Sequence, residues 1–184
     1  MLLDILFIAA SFILRVFAGE VATGYHLDIW LFLTVISGAL FLAIGKRRSE
    51  LTLLSGWDGA TAAKTRATLS HYSERMLDVY ISMFANSTWI TYAFYTFLQK
   101  PPVLRKTVGN LFDQFNLDTL SERKWLMITI PLVIYAVMRY LQLIYEKNQG
   151  ESPEKVLLSD RPLIFTAALL GMMLFGIIYI IRRY

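Results

Sequence analysis

Five consecutive residues, Lys46, Arg47, Arg48, Ser49 and Glu50, form the densest group of chemically capable side chains in this chain. Three cations and a hydroxyl at adjacent positions can cradle phosphates, because guanidinium forks match phosphate oxygens in geometry. The same cluster also suits an anchor of the positive-inside kind, and Glu50, one turn after Lys46, can serve simply as its ion-pair partner. Glu74 and Asp78 stand four residues apart, on one helical face. Two carboxylates so placed either decorate a helix start or share a divalent ion such as Mg²⁺, which takes oxygen ligands and keeps several waters. Arg139 lies well inside an apolar run and calls for a polar partner. Asp160-Arg161-Pro162 reads as an N-cap followed by a first-turn proline. Asp4 and Arg15 are further ionisable groups in apolar surroundings, explicable by a helix start and by snorkelling. His26 and His71 are not spaced as a metal pair, and the absence of cysteine excludes thiolate chemistry and disulfides. No nucleophile–base triad, phosphate loop or zinc motif is present, and nothing points to nucleic acid.

The elements that must carry these groups are set by composition. Of the 184 residues 56% are hydrophobic and only 17% charged, against roughly a quarter charged in soluble domains. The apolar residues come in blocks. A bilayer core asks for about 20 such residues per helix, and the backbone must satisfy its own hydrogen bonds there. The expectation is an all-α membrane protein of five transmembrane helices, over about 2–18, 29–44, 76–98, 125–145 and 163–181. Pro131 and Arg139 fall inside the fourth. The first segment resembles a signal peptide in hydrophobicity, but Asp4 replaces the basic leader region and Arg15 interrupts the run, so it is read as a retained helix.

Among the connections, 45–75 is long and basic. The 99–124 stretch opens with Pro101-Pro102 and continues with apolar residues at helical spacing, which suggests a helix lying in the interface. Ser152-Pro153-Glu154 opens one short helix. Nine Lys/Arg on the side of the 45–75 and 146–161 connections, against seven opposite, place the Lys46 cluster on the cytoplasmic face of a cell (inner) membrane.

Three strings carry a more specific signal. They are Phe12-Ile13-Leu14-Arg15-Val16-Phe17-Ala18-Gly19, the run from Ala39 to Leu51 containing Gly45-Lys46-Arg47-Arg48-Ser49-Glu50, and Arg139-Tyr140-Leu141 followed by Tyr145 and then 156–163 with Asp160-Arg161-Pro162. In this order they resemble the UbiA-type intramembrane prenyltransferase superfamily, most closely its decaprenyl-phosphate phosphoribosyltransferase branch, over nearly the whole chain except 99–124. The resemblance implies the last five helices of a nine-helix bundle around a cavity open to cytoplasm and lipid. It implies an enzyme that moves a phosphoribosyl group from phosphoribosyl pyrophosphate to a polyprenyl (decaprenyl) phosphate with Mg²⁺, in the synthesis of cell-wall arabinan precursors. Lys46, Arg47 and Glu50 fall in the family's second polar motif and are the candidate catalytic residues. Arg48, Tyr72, Arg139, Tyr140, Asp160 and Arg161 are candidates for substrate contact, and Glu50, Glu74 and Asp78 for the metal.

The family's first aspartate-rich motif, Asn-Asp-x-x-Asp-x-x-x-Asp, has no counterpart here. The chain is therefore read as a fragment, one half of a split enzyme or a truncated relative, and activity is expected to need the missing N-terminal half to complete the charge-stabilising shell. A separate N-terminal half or a homo-oligomer is the partner expectation. The competing expectations are prenyl transfer to an aromatic acceptor and a non-catalytic lipid-binding remnant. A small transporter is disfavoured, since no inverted repeat is visible.

Overall fold

A computed structural model describes residues 2–24, 26–55, 73–99, 124–147 and 159–177. Within them the chain is an all-helical membrane protein with no strand. Five helices follow one another: α1 Leu2–Thr23, α2 Ile29–Ser55, α3 Glu74–Leu98, α4 Ile130–Lys147 and α5 Arg161–Phe175. A 3-10 turn, Trp125–Thr129, leads into α4. The expected interfacial helix within 99–124, the helix opening at Ser152, and the candidate Tyr72 lie outside the described residues.

Three stretches are long and apolar enough to cross a membrane: Leu2–Thr23, Ile29–Thr52 and Trp125–Tyr145. The described part of α5 is apolar but shorter, at 15 residues. α3 has the length, yet Ser82, Asn86, Ser87, Thr88, Thr91 and Thr96 make it more polar than the other spans. The second helix also differs from the expected end at Ile44. It continues for three further turns through Lys46–Glu50, because Lys, Arg and Glu are good helix formers although they disfavour hydrocarbon. The reactive string is a helical face, not a loop. In the fourth span Pro131 does not interrupt the α-helix. It stands in its first turn, where its missing N–H costs nothing, and the 3-10 turn supplies the residues before it.

Local chemistry sets the junctions. α1 stops at Gly24, whose φ of 66° is the left-handed conformation that commonly ends helices. Asp28 Oδ1 accepts from Trp30 N at 2.9 Å and caps α2. Glu20 Oε1 takes the Leu27 N–H at 3.0 Å, tying the short α1–α2 link. Asp160 caps α5 by accepting from Leu163 N.

α2 packs along both α1 and α3, and α4 packs on α3, α2 and α5. The common core holds Ile5 and Ala9 of α1, Ala39, Phe41, Ala43 and Ile44 of α2, and Leu77, Ile81 and Ala85 of α3, closed by Tyr140, Leu143, Ile144 and Leu163. Leu3, Phe7, Leu14, Val21, Met138, Phe165 and Met172 point outward. Apolar side chains both inside and outside are what a bundle solvated by hydrocarbon requires. Without a hydrophobic force between helices in lipid, close approach and polar contacts join α2 to α3. Thr34 Oγ1 donates to Thr91 Oγ1 at 3.0 Å, Ser37 and Ser87 share a hydrogen bond of 3.0 Å, and Gly38 lies against the Thr88 methyl.

At Gly45 two side chains of α4 press against α2. A Cβ there would stand 2.8 Å from Ile144 Cδ1 and 3.3 Å from the Tyr140 ring. Gly45→Val is expected to destabilise the protein by about 1–3 kcal/mol through this clash. Gly19→Ala, inside α1 with nothing within 4 Å of the added atom, is expected to stabilise by up to about 1 kcal/mol. Thermal unfolding of the two variants in detergent checks both.

Candidate functional site

The five helices run alternately up and down, so the N-termini of α1, α3 and α5 meet the C-terminal halves of α2 and α4 at one end of the bundle. The N-termini carry the acids: Asp4, Glu74 with Asp78, and Asp160. The C-terminal halves carry Lys46, Arg47, Arg48 and Arg139. Asp4 and Glu74 stand in first turns, where a carboxylate suits the helix dipole, and Asp160 is the N-cap of α5. The sequence therefore places complementary charges at one end before any ligand is considered.

Arg47 reaches α1, with Nε 2.7 Å from Asp4 Oδ2 and Nη2 donating to Asp4 Oδ1 at 2.7 Å. Its Nη1 donates to Glu50 on its own helix. Arg48, one residue on, turns instead to α3. Its Nε donates to Asp78 Oδ1 at 2.8 Å, and Nη2 stands 3.5 Å from Glu74. Nη1 donates to Thr52. Tyr145 of α4 donates its hydroxyl to the same Asp78 oxygen at 2.8 Å, and its ring centre lies 5.7 Å from the Arg48 guanidinium carbon. Lys46 has no ion-pair partner among the described residues. Ser49 is buried between these pairs, its hydroxyl unpaired among the described residues.

A second ion pair forms alongside. Arg139 Nε and Nη2 donate to the two Asp160 oxygens at 2.9 and 2.8 Å, the bidentate fork that guanidinium and carboxylate favour. Its Nη1 also donates to Gln142 at 2.7 Å. Asp160 thus acts twice, as cap of α5 and as the counter-ion that Arg139 needs in its apolar span. Tyr140 is buried with its ring edge-on to Phe41, centres 5.2 Å apart, beneath Gly45. Arg161 is exposed at the start of α5.

The structure brings Lys46, Arg47, Arg48, Glu50, Glu74 and Asp78 together at one end, with Arg139 and Asp160 as a separate pair on α4 and α5. The three carboxylates expected around a metal are divided: Glu50 faces Arg47, whereas Glu74 and Asp78 face Arg48. No group of three acidic or histidine side chains close enough to hold an ion occurs among the described residues. Two participants were not legible as site residues. Asp4 was visible only as a charge at a helix start. Tyr145 belongs to the third string of the resemblance but was given no role, because its contact with Asp78 spans 67 positions. Arg15 is exposed on α1 near the Phe12 ring, 5.7 Å from its centre.

Fold and site together define an all-helical membrane protein with a charged, ion-paired cluster at one end of its bundle. Over 88% of its length the chain is 30% identical to the decaprenyl-phosphate phosphoribosyltransferase of Mycolicibacterium smegmatis. It is 29% identical over 88% of its length to the enzyme of that name from Corynebacterium glutamicum, and 28% identical over 87% to that from Mycobacterium tuberculosis. The matches cover 46%, 42% and 45% of these relatives, so the chain spans about half the length of the curated proteins it matches. No protein-family model matches the chain. The relatives are named as transferases, and the chain is their homologue over most of its own length.

The Arg139–Asp160 pair is shielded, with side chains 18% and 7% exposed. Arg139→Leu leaves the Asp160 carboxylate buried without its counter-ion and is expected to cost about 3–5 kcal/mol. The double variant Arg139→Leu/Asp160→Asn should recover most of that loss. The checking measurement is a double-mutant cycle on detergent unfolding.

Proposed function

We propose that this chain forms one wall of a phosphoribosyl-transferring membrane enzyme, acting on phosphoribosyl pyrophosphate and a polyprenyl phosphate. The observation that carries the proposal is homology to decaprenyl-phosphate phosphoribosyltransferases over 88% of the chain, spanning the helix that bears Lys46–Glu50. In the reaction a phosphate oxygen of the lipid bonds to the anomeric carbon of the ribose. The bond from that carbon to pyrophosphate breaks, and pyrophosphate leaves with the electron pair.

The lipid acceptor enters from the bilayer, which the apolar exterior of α1, α4 and α5 borders. The soluble, polyanionic donor approaches the charged end, on the cytoplasmic face of the inner membrane. Lys46, free of an acidic partner among the described residues, is the first cation to meet a phosphate. Arg47 and Arg48 are held beside it as fixed charges by Asp4, Glu50, Glu74 and Asp78. Charge building on the leaving pyrophosphate is stabilised by such fixed cations.

A divalent ion fits this donor set in one way. Glu74 and Asp78 form a two-carboxylate edge, with side chains 57% and 39% exposed. That suits Mg²⁺ bound through one or two carboxylates with substrate phosphates as the other ligands, not an all-protein cage. When bound, the ion would neutralise the leaving pyrophosphate. Glu50, committed to Arg47, positions that cation rather than ligating metal in this arrangement.

Completion by a further polypeptide belongs to the same reading. Arg15 on α1 and Asn86 on α3 are exposed at depths where hydrocarbon penalises them, which suits faces covered by other protein or lining a cavity.

The test expresses the chain alone and together with the N-terminal region of a relative, then measures Mg²⁺-dependent incorporation of labelled phosphoribosyl into lipid. Transfer is expected in the combined preparation. Lys46→Ala and Glu50→Gln should each lower turnover about 100-fold or more at unchanged expression. Full turnover in both variants removes the assignment of the site. Absence of transfer and of phosphoribosyl pyrophosphate binding in every combination favours a non-catalytic lipid-binding protein.

A further inference from the structure

A serine or threonine inside a helix can return its hydroxyl to a backbone carbonyl three or four residues back. Ser11, Thr34, Ser82, Thr88, Thr91 and Thr166 all do so in this chain. Ser49 does not. It is 1% exposed, and its Oγ has no hydrogen-bond partner among the described residues. A buried hydroxyl without a partner costs free energy, and such groups in native structures call for a reason. Lys46, three residues earlier, is half-buried and has no ion-pair partner among the described residues either. On a helix the two are neighbours, about 60° apart around the axis. Gly45 lies about 40° to the other side of Ser49, and there Tyr140 and Ile144 of α4 press on α2. Ser49 therefore sits at the seam between the α4 contact and Lys46. Arg47 and Arg48 are committed to Asp4, Glu50, Glu74 and Asp78. An ammonium and a hydroxyl, side by side, are left without partners at the charged end of α2.

We propose that Lys46 and Ser49 form a subsite for one phosphate group, the ammonium supplying charge and the hydroxyl a directed hydrogen bond. The subsite rests on the reading of this chain as part of a phosphoribosyl-transferring enzyme, and it adds Ser49 as a binding residue. A serine hydroxyl changes direction by one step of χ1, so reaching an anion beside Lys46 moves no backbone. Hydrogen bonds to charged acceptors are stronger than neutral ones, and a donor with no partner to give up loses nothing when it makes one. The arginine pairs that hold α1 and α3 stay intact. Two sources carry such a group, the pyrophosphate of the soluble donor and the headgroup of the lipid acceptor. A serine that only completed the packing of α2 on α4, or held a buried water, would affect stability and leave phosphate affinity unchanged.

The experiment titrates the full chain in detergent with two probes, read by calorimetry: inorganic pyrophosphate with Mg²⁺, and farnesyl phosphate. S49A removes only the hydroxyl. The Kd of one probe is expected to rise about ten-fold in S49A. Ligand-free S49A should unfold at a temperature no lower than the unaltered chain, since the lost hydroxyl bonded nothing. Weakened pyrophosphate binding assigns the subsite to the donor, and weakened farnesyl phosphate binding assigns it to the acceptor. On a K46M background S49A should add little, because both side chains serve one phosphate. An undiminished ten-fold effect there overturns the shared subsite. Unchanged affinity for both probes in S49A overturns it and leaves the proposed function standing. A lower unfolding temperature of ligand-free S49A overturns it too, because the hydroxyl was then already partnered. If the unaltered chain binds neither probe, the subsite falls together with the reading of the charged end as a phosphate site.

Discussion

Two guanidinium groups on consecutive residues hold three helices at one end of the bundle. Successive side chains on a helix point about 100° apart, so Arg47 and Arg48 must face different neighbours. Arg47 takes Asp4 of α1, and Arg48 takes Glu74 and Asp78 of α3. α2 is thereby the hub against which both neighbours are set. The two arginine side chains are 19% and 14% exposed, so little water remains to compensate a missing partner. Removing an acid from such a pair costs more than the pair itself contributes, because a shielded charge is left alone. The positions of α1 and α3 at this end depend on that asymmetry.

Deeper in the bundle a different force operates. Lipid tails are as apolar as leucine, so burying leucine between α2 and α3 gains little over exposing it. Hydroxyl pairs, Thr34 with Thr91 and Ser37 with Ser87, take over, and Gly38 and Gly45 let backbones approach. A third pair, Tyr92 with Thr129 at 2.7 Å, links α3 to the turn that precedes α4. The polarity of α3 that lowers its claim to be a simple apolar span is what fastens it to its neighbours.

This explains which features the sequence disclosed and which it did not. Five helices were legible because hydrocarbon demands long apolar blocks, and the Lys46–Glu50 cluster was legible because its composition breaks such a block. That Arg139 needed a partner followed from its depth. Its identity did not, since Asp160 lies 21 positions away and already had an adequate local explanation as a cap. The end of α2 was misplaced at Ile44 because hydropathy reports where hydrocarbon stops, while helix propensity runs on through charged residues to Ser55. The hydroxyl seam and the Tyr145–Asp78 contact depend on register between helices, and single-chain periodicity does not contain it.

The same register alters the electrostatics of the candidate site. Read as a string, Lys46, Arg47 and Arg48 make a standing positive cradle. Folded, Lys46 has no ion-pair partner among the described residues, but Arg47 meets Asp4 and Glu50 and Arg48 meets Glu74 and Asp78, so both arginines of the cluster are already matched by acids. A bare polyphosphate approaching it meets arginines whose best donor directions are already used. At a surface-like effective dielectric, each unit charge about 4 Å away is worth about 4 kcal/mol, so a phosphate gains from Arg48 roughly what it loses to Asp78. Binding of a polyanion then requires either that a carboxylate swings away from its arginine or that the anion brings positive charge with it. The second route costs less structure, because it leaves the pairs that hold α1 and α3 intact. An ion-paired cluster of this kind is a framework first, and its ligand must be electrically compatible with the framework.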